Sequence, residues 1–231
     1  MSQEFSAVRF VPEAEPLMQQ QLVTMLELQD RMNRRVHDQW REQNFAWHRA
    51  LWLECGELID HHGYKWWKQQ VPDMPQVRLE VVDIWHFGMS MLFDGRAVDQ
   101  IAADLLQEWR TVPVPATDVV TAAEALAQQT LASRRFPVAA FWTLLDATGL
   151  DFNSLYRQYI GKNVLNLFRQ DQGYQEGTYV KQWAGREDNE HLLELLESID
   201  IEAADFADRL YAALARRYRE VRAASASAGA Q

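Results

Sequence analysis

Apolar positions recur along this chain at helical rather than strand spacing. In "LMQQQLVTMLELQDRMNRRV", Leu22, Met25, Leu26, Met32 and Val36 fall on the i, i+3, i+4, i+7 stripe of a first helix. A second helix is predicted over about 43–60 and ends near "HHGY", where Gly63 can stop it. The loop "VPDMP" leads to a third helix over about 77–93, which stops at "DG". Residues 97–135 read as further helix broken by the proline-punctuated "TVPVPATD". "FPVAAFWTLLDATGL" continues as helix with Gly149 as terminator, and "DFNSLYRQYIGKNVLNLFRQ" starts another at an Asp or Asn cap.

Beyond these, "DQGYQEGTYVKQWAGREDN" reads as a loop, followed by two amphipathic helices in "EHLLELLESID" and "EAADFADRLYAALARRYREV". The small, polar residues from about 223 to 231 read as a disordered tail. No convincing strand alternation and no repeat of 20–50 residues is present. The expectation is a single all-α domain over 1–231, built on a helical bundle.

Composition narrows the partners. Of 231 residues, 48% are hydrophobic and 24% charged, an ordinary globular profile. The formal net charge of −10 argues against a duplex nucleic acid partner, which usually meets a basic face. Cys55 is the lone cysteine, which excludes an internal disulfide framework and fits a reducing compartment. The N-terminal residues lack a signal-peptide profile, and no run approaches the roughly 18 apolar residues of a membrane span. A soluble cytoplasmic protein is expected.

Four acids change the picture. Glu54 and Glu57 stand one turn apart on the second helix, and Glu80 and Asp83 one turn apart on the third. Acids three apart are common; Glu194/Glu197 and Glu202/Asp205 lie on polar faces and read as solvated surface. Glu80 and Asp83 instead sit among Val81, Val82, Ile84, Trp85 and Phe87, where ionised carboxylates need a partner. A short connection makes the two helices antiparallel neighbours, so the four acids can converge as hard oxygen ligands for Mg²⁺. The alternative is internal salt bridges to Lys65, Lys68 or Arg78, and Asp60 either joins the acids or is exposed. His61 and His62 read as a polar helix terminus. Asp83 with His86 is a single weak D-x-x-H, short of what a di-iron bundle requires.

A second constellation lies at 162–181. Lys162, Asn166 and Arg169 share one helical stripe flanked by Leu165 and Phe168, followed by Tyr174 and Lys181 in the glycine-bearing loop. Two readings stand: a salt-bridged basic face, or a phosphate clamp with a bidentate arginine.

The strings "LELQDRMN", "ECGELIDHHGYKWWK", "RLEVVDIWHFGMS" and "KNVLNLFRQDQGYQEGTYVKQW", in this order, resemble the dimeric all-α dUTPases of the nucleotide pyrophosphohydrolase superfamily. The resemblance implies Mg²⁺ (two or more ions) held by Glu54, Glu57, Glu80 and Asp83. Gln29 and Asn33 resemble residues that read the uracil edge; Trp66, His86 and Phe87 resemble walls around base and deoxyribose. Lys162, Asn166, Arg169, Tyr174 and Lys181 resemble the phosphate-binding set. It further implies a homodimer, with about 97–145 a variable helical segment. The implied reaction turns dUTP, and also dUDP, into dUMP, with Glu54 as catalytic base. That would limit uracil in DNA and supply dUMP for dTMP synthesis. The rivals are a pyrophosphohydrolase for another nucleotide such as dCTP, with the same metal site, and a non-catalytic helical interaction protein.

Overall fold

The computed structural model describes residues 15–112, 117–200 and 205–228. Contacts group the chain into two compact units, 1–156 and 157–231, within the stretch read above as a single domain. Among the described residues the architecture is all-α apart from one two-stranded hairpin.

The first unit contains α1 (Glu15–Val36), α2 (Trp47–His62), α3 (Met74–Leu92), α4 (Val98–Thr111), α5 (Val119–Ser133) and α6 (Val138–Ala147). The start of α7 (Phe152–Asp171) also belongs to it. A 3₁₀ turn, Trp40–Glu42, separates α1 from α2. The helix expected from about 43 therefore begins later, after Asn44, which takes a positive φ of 51°. Gly63, at φ 88°, stops α2 as its lack of a Cβ allows. At the other end of the loop, α3 begins three residues earlier than its apolar periodicity suggests. Asp73 accepts a bond from the Gln76 amide, and Pro75 is tolerated in a first turn that needs no donor there. Asp118 caps α5 in the same way; residues 113–116 of the expected proline turn lie outside the described residues.

α2 lies antiparallel along α3, and α3 is the buried spine: Val77, Leu79, Val81, Val82, Ile84, Trp85 and Met89 are inaccessible to solvent. The Trp85 ring stacks on Phe141, with centroids 4.8 Å apart, and meets Trp142 at 5.3 Å. Trp142 meets Trp109 edge-on at 4.4 Å. Several of the nine tryptophans are thus core packing.

In the second unit, α7 is followed by the antiparallel strands β1 (Gln182–Trp183) and β2 (Arg186–Glu187), then α8 (Asp188–Ser198) and α9 (Phe206–Ala228). Ala184 and Gly185 both take positive φ, the requirement of a tight two-residue hairpin turn. Strands of two residues carry no alternation, so the pattern expected of strands could not reveal them. Phe168 is enclosed edge-on by Tyr179, Trp183, Tyr211 and Tyr218. α9 extends to Ala228, so the expected tail from about 223 is helical that far; residues 229–231 lie outside the described residues. Among the described residues no helix is long and apolar enough to cross a membrane.

Candidate active site

Glu54, Glu57 and Glu80 converge: each offers a carboxylate oxygen within 4.8 Å of the others. Helix periodicity puts Glu54 and Glu57 on one face of α2, and the packing of α2 on α3 turns that face towards Glu80. Glu80 is buried at 5% exposure, Glu54 is half-buried and Glu57 is exposed. Asp83, expected as a fourth ligand, is half-buried one turn further along α3, outside this trio.

Two of the alternative cations have partners elsewhere. Lys65 bonds Asp60 at 2.9 Å, and Arg78 donates to the Thr148 carbonyl at 3.3 Å. Asp60 is thereby settled as an exposed surface acid, its carboxyl held below the ordinary range by the Lys65 bond. His61 does more than end α2, because its Nε2 lies 3.5 Å from Glu80 Oε1 and can pair with it when protonated. Burial pushes the Cys55 thiol up to about 12, with the Glu54 charge adding, so Cys55 is an inert neighbour. A trio of close carboxylates with hard oxygens fits a divalent cation such as Mg²⁺.

Further along the same helix pair, the register repeats in aromatic form. Trp47 precedes Glu54 by seven residues and Phe87 follows Glu80 by seven, and their rings meet at 6.2 Å. Seven residues are two helical turns, about 10 Å. A cavity of about 450 Å³ opens at this end, lined by Trp40, Phe45, Trp47, Phe93, Arg41 and Ser90 among others.

Gln29 and Asn33 lie at 4% and 6% exposure rather than on an open helix face. Gln29 Nε2 donates to Asn33 Oδ1 at 3.0 Å and to Ser90 Oγ at 3.1 Å; Asn33 Nδ2 donates to Ser90 Oγ at 2.9 Å. Gln29 Oε1 stands 2.7 Å from His86 Nδ1. An amide oxygen can only accept, so Nδ1 carries a proton. The structure thus joins Gln29, Asn33 and His86 in one network and adds Ser90, whose spacing of four from His86 was the available signal.

Trp66 is not part of this arrangement. It is 90% exposed in the connection between α2 and α3, edge-on to Trp67, and forms no wall with His86 or Phe87 among the described residues. The ring facing Phe87 is Trp47, which the sequence reading passed over although it shares a stripe with Glu54. Asp30, also passed over, holds that end together. It accepts from Trp40 Nε1 at 3.0 Å, Arg41 at 2.8 Å and Arg34 at 2.8 Å. Burial would raise the Asp30 carboxyl, but Arg34 and Arg41 outweigh it and hold it low.

In the second unit, Lys162, Asn166 and Arg169 are brought together, though by acceptors the sequence reading did not name. Lys162 Nζ donates to Asn189 Oδ1 at 2.9 Å, and Arg169 Nη2 reaches the same atom at 3.3 Å. Arg169 Nη1 bonds Asn166 Oδ1 at 3.1 Å. The bidentate side of Arg169, expected to meet a phosphate, engages the buried Asp188. Tyr179 donates to Asp188 Oδ2 at 2.7 Å, whereas Tyr174 is half exposed with its ring 6.1 Å from Tyr179. Lys181 is exposed and pairs with Glu187 at 3.3 Å.

No curated protein sequence matches the chain. The family profile described as dUTPase matches residues 21–174, well over half of the chain and inclusive of all four acids. The chain belongs to the dUTPase family, and its activity is the hydrolysis of dUTP.

Proposed function

We propose that the chain converts dUTP to dUMP and pyrophosphate with Mg²⁺, and dUDP to dUMP and phosphate, as a cytoplasmic homodimer. The observation that carries this reading is the register of α2 on α3. An acid trio and an aromatic cavity lined in part by Ser90 lie two turns apart on the same helix pair, a separation that suits the phosphates and base of one nucleotide.

Glu54, Glu57, Glu80 and Asp83 would hold the metal. Bound Mg²⁺ supplies charge neutralisation on the phosphate oxygens, which phosphoryl transfer requires. Glu54 takes the proton of a water whose oxygen bonds to the α-phosphorus; the bond from that phosphorus to the α–β bridging oxygen breaks, and pyrophosphate leaves with its electron pair. Asn33 and Gln29 read the base, with Trp47 and Phe87 enclosing base and sugar. Lys162, Asn166 and Arg169, with Tyr174 and Lys181, would bind the phosphates, with Asp188 holding the fork of Arg169 in place.

The test is pyrophosphate release from dUTP, dCTP, dTTP and UTP, with and without Mg²⁺ after chelation. Mg²⁺-dependent release favouring dUTP is expected. A preference for dCTP would support the rival pyrophosphohydrolase, and no release from any of the four would sink the proposal.

A further inference from the structure

Ser90 Oγ has one proton and three polar neighbours. It lies 3.0 Å from the His86 carbonyl, one turn back on α3, 2.9 Å from Asn33 Nδ2 and 3.1 Å from Gln29 Nε2. The carbonyl can only accept, so it takes the proton, and the hydroxyl accepts from both amides. If the Asn33 amide turned over, its oxygen would face a hydroxyl whose proton is already engaged. Two buried acceptors in contact are costly, and the Gln29 bond to Asn33 Oδ1 would be lost as well.

We propose that Ser90 is a positioning residue that determines base specificity by locking the polarity of the Asn33 amide. This rests on the reading of Asn33 as the residue that meets the base. With its NH₂ held towards Ser90, Asn33 has a second N–H to donate and a further lone pair on Oδ1 to accept. That order matches uracil, which offers O4 as acceptor and N3–H as donor. Cytosine interchanges the two, presenting an amino group and a bare N3, and would need the amide reversed. Ser90 opposes that reversal, and it also lines the cavity in which the base would lie.

The experiment compares kcat/KM for dUTP and dCTP in wild type, Ser90→Ala and Ser90→Thr. Ser90→Ala is expected to lower the dUTP/dCTP ratio by about tenfold or more, as a freed amide accepts either base. Ser90→Thr, which keeps the hydroxyl, is expected to retain the ratio. A merely structural serine would lower both substrates together and leave the ratio in place, which overturns the lock. Should Ser90→Ala fail to fold, Ser90→Cys keeps the volume with a much weaker acceptor and is expected to show the same fall. A wild type without preference for dUTP would overturn the base-reading role itself. A wild type that prefers dUTP beside an unchanged Ser90→Cys ratio overturns only the lock.

Discussion

Arg169 gives both arms of its guanidinium fork to Asp188: Nε lies 2.8 Å from Oδ2 and Nη2 2.8 Å from Oδ1. Asp188 is fully buried and the Arg169 side chain is 11% exposed. The pair joins α7 to the first turn of α8, where the helix N-terminus also favours a carboxylate.

The first prediction follows from this pair. Asp188→Asn leaves a buried guanidinium without its counter-charge and is expected to cost about 3–5 kcal/mol. Burial alone would raise the Asp188 carboxyl, but the Arg169 bonds and charge outweigh it and hold it below the ordinary carboxylate range. The native value is lower than the unfolded one, so the stabilisation is present above the ordinary carboxylate pKa. It fades as pH falls through the lowered native value. Thermal midpoints measured down to about pH 2 should show that acid loss in wild type and a smaller one in Asp188→Asn.

A second prediction tests the packing of the spine helix. A Cβ on Gly88 would come within 2.5 Å of the Phe136 ring. Gly88→Ala is expected to destabilise by about 1–3 kcal/mol in denaturant melts. Combined with Phe136→Leu it should cost less than the two single changes together, because the smaller side chain vacates the clash.

The helices and the acid trio were legible in the sequence because both depend on local periodicity: Glu54 and Glu57 share a face, and Glu80 stands out as a charge in an apolar run. Trp47 and Ser90 were harder to see. Tryptophan at a helix start and serine near a helix end are unremarkable until α2 is laid against α3, and that register is a tertiary fact. Asp188 and Asn189 are similar, since in sequence they are a polar pair after a loop. Only the fold delivers them to Lys162 and Arg169, 27 and 19 residues away respectively. Trp66 shows the reverse: a specific motif drew attention to a side chain that lies 90% exposed.

The third prediction concerns Trp47. Trp47 meets Phe87 at 6.2 Å beside the cavity. Loss of an aromatic face against a base costs about 1–3 kcal/mol. Trp47→Ala is therefore expected to raise KM for dUTP several-fold to a hundredfold, with a smaller change in kcat. Steady-state kinetics at saturating Mg²⁺ would show it; an unchanged KM would remove the base from this cavity.

The last prediction concerns Glu57, the exposed member of the trio. Three carboxylates this close repel one another when no cation stands between them, so Glu57→Gln removes a repulsion at neutral pH. Its exposure means no core contact is lost, and the metal-free variant should melt at or slightly above the wild-type temperature. Mg²⁺ reverses the order. A ligand that binds only the native state stabilises it by about 2.7 kcal/mol at a hundredfold excess over its dissociation constant. Wild type should gain that increment as Mg²⁺ is titrated, and Glu57→Gln should gain far less, because one of the hard oxygens is gone. Turnover of dUTP should fall by two orders of magnitude or more, as expected when a group that neutralises transition-state charge is displaced. Melting curves with and without Mg²⁺, run beside pyrophosphate release, read all three effects on the same samples. Near-normal turnover in a variant with a wild-type Mg²⁺ response would remove Glu57 from the metal site and leave Glu54 and Glu80 to be tested alone.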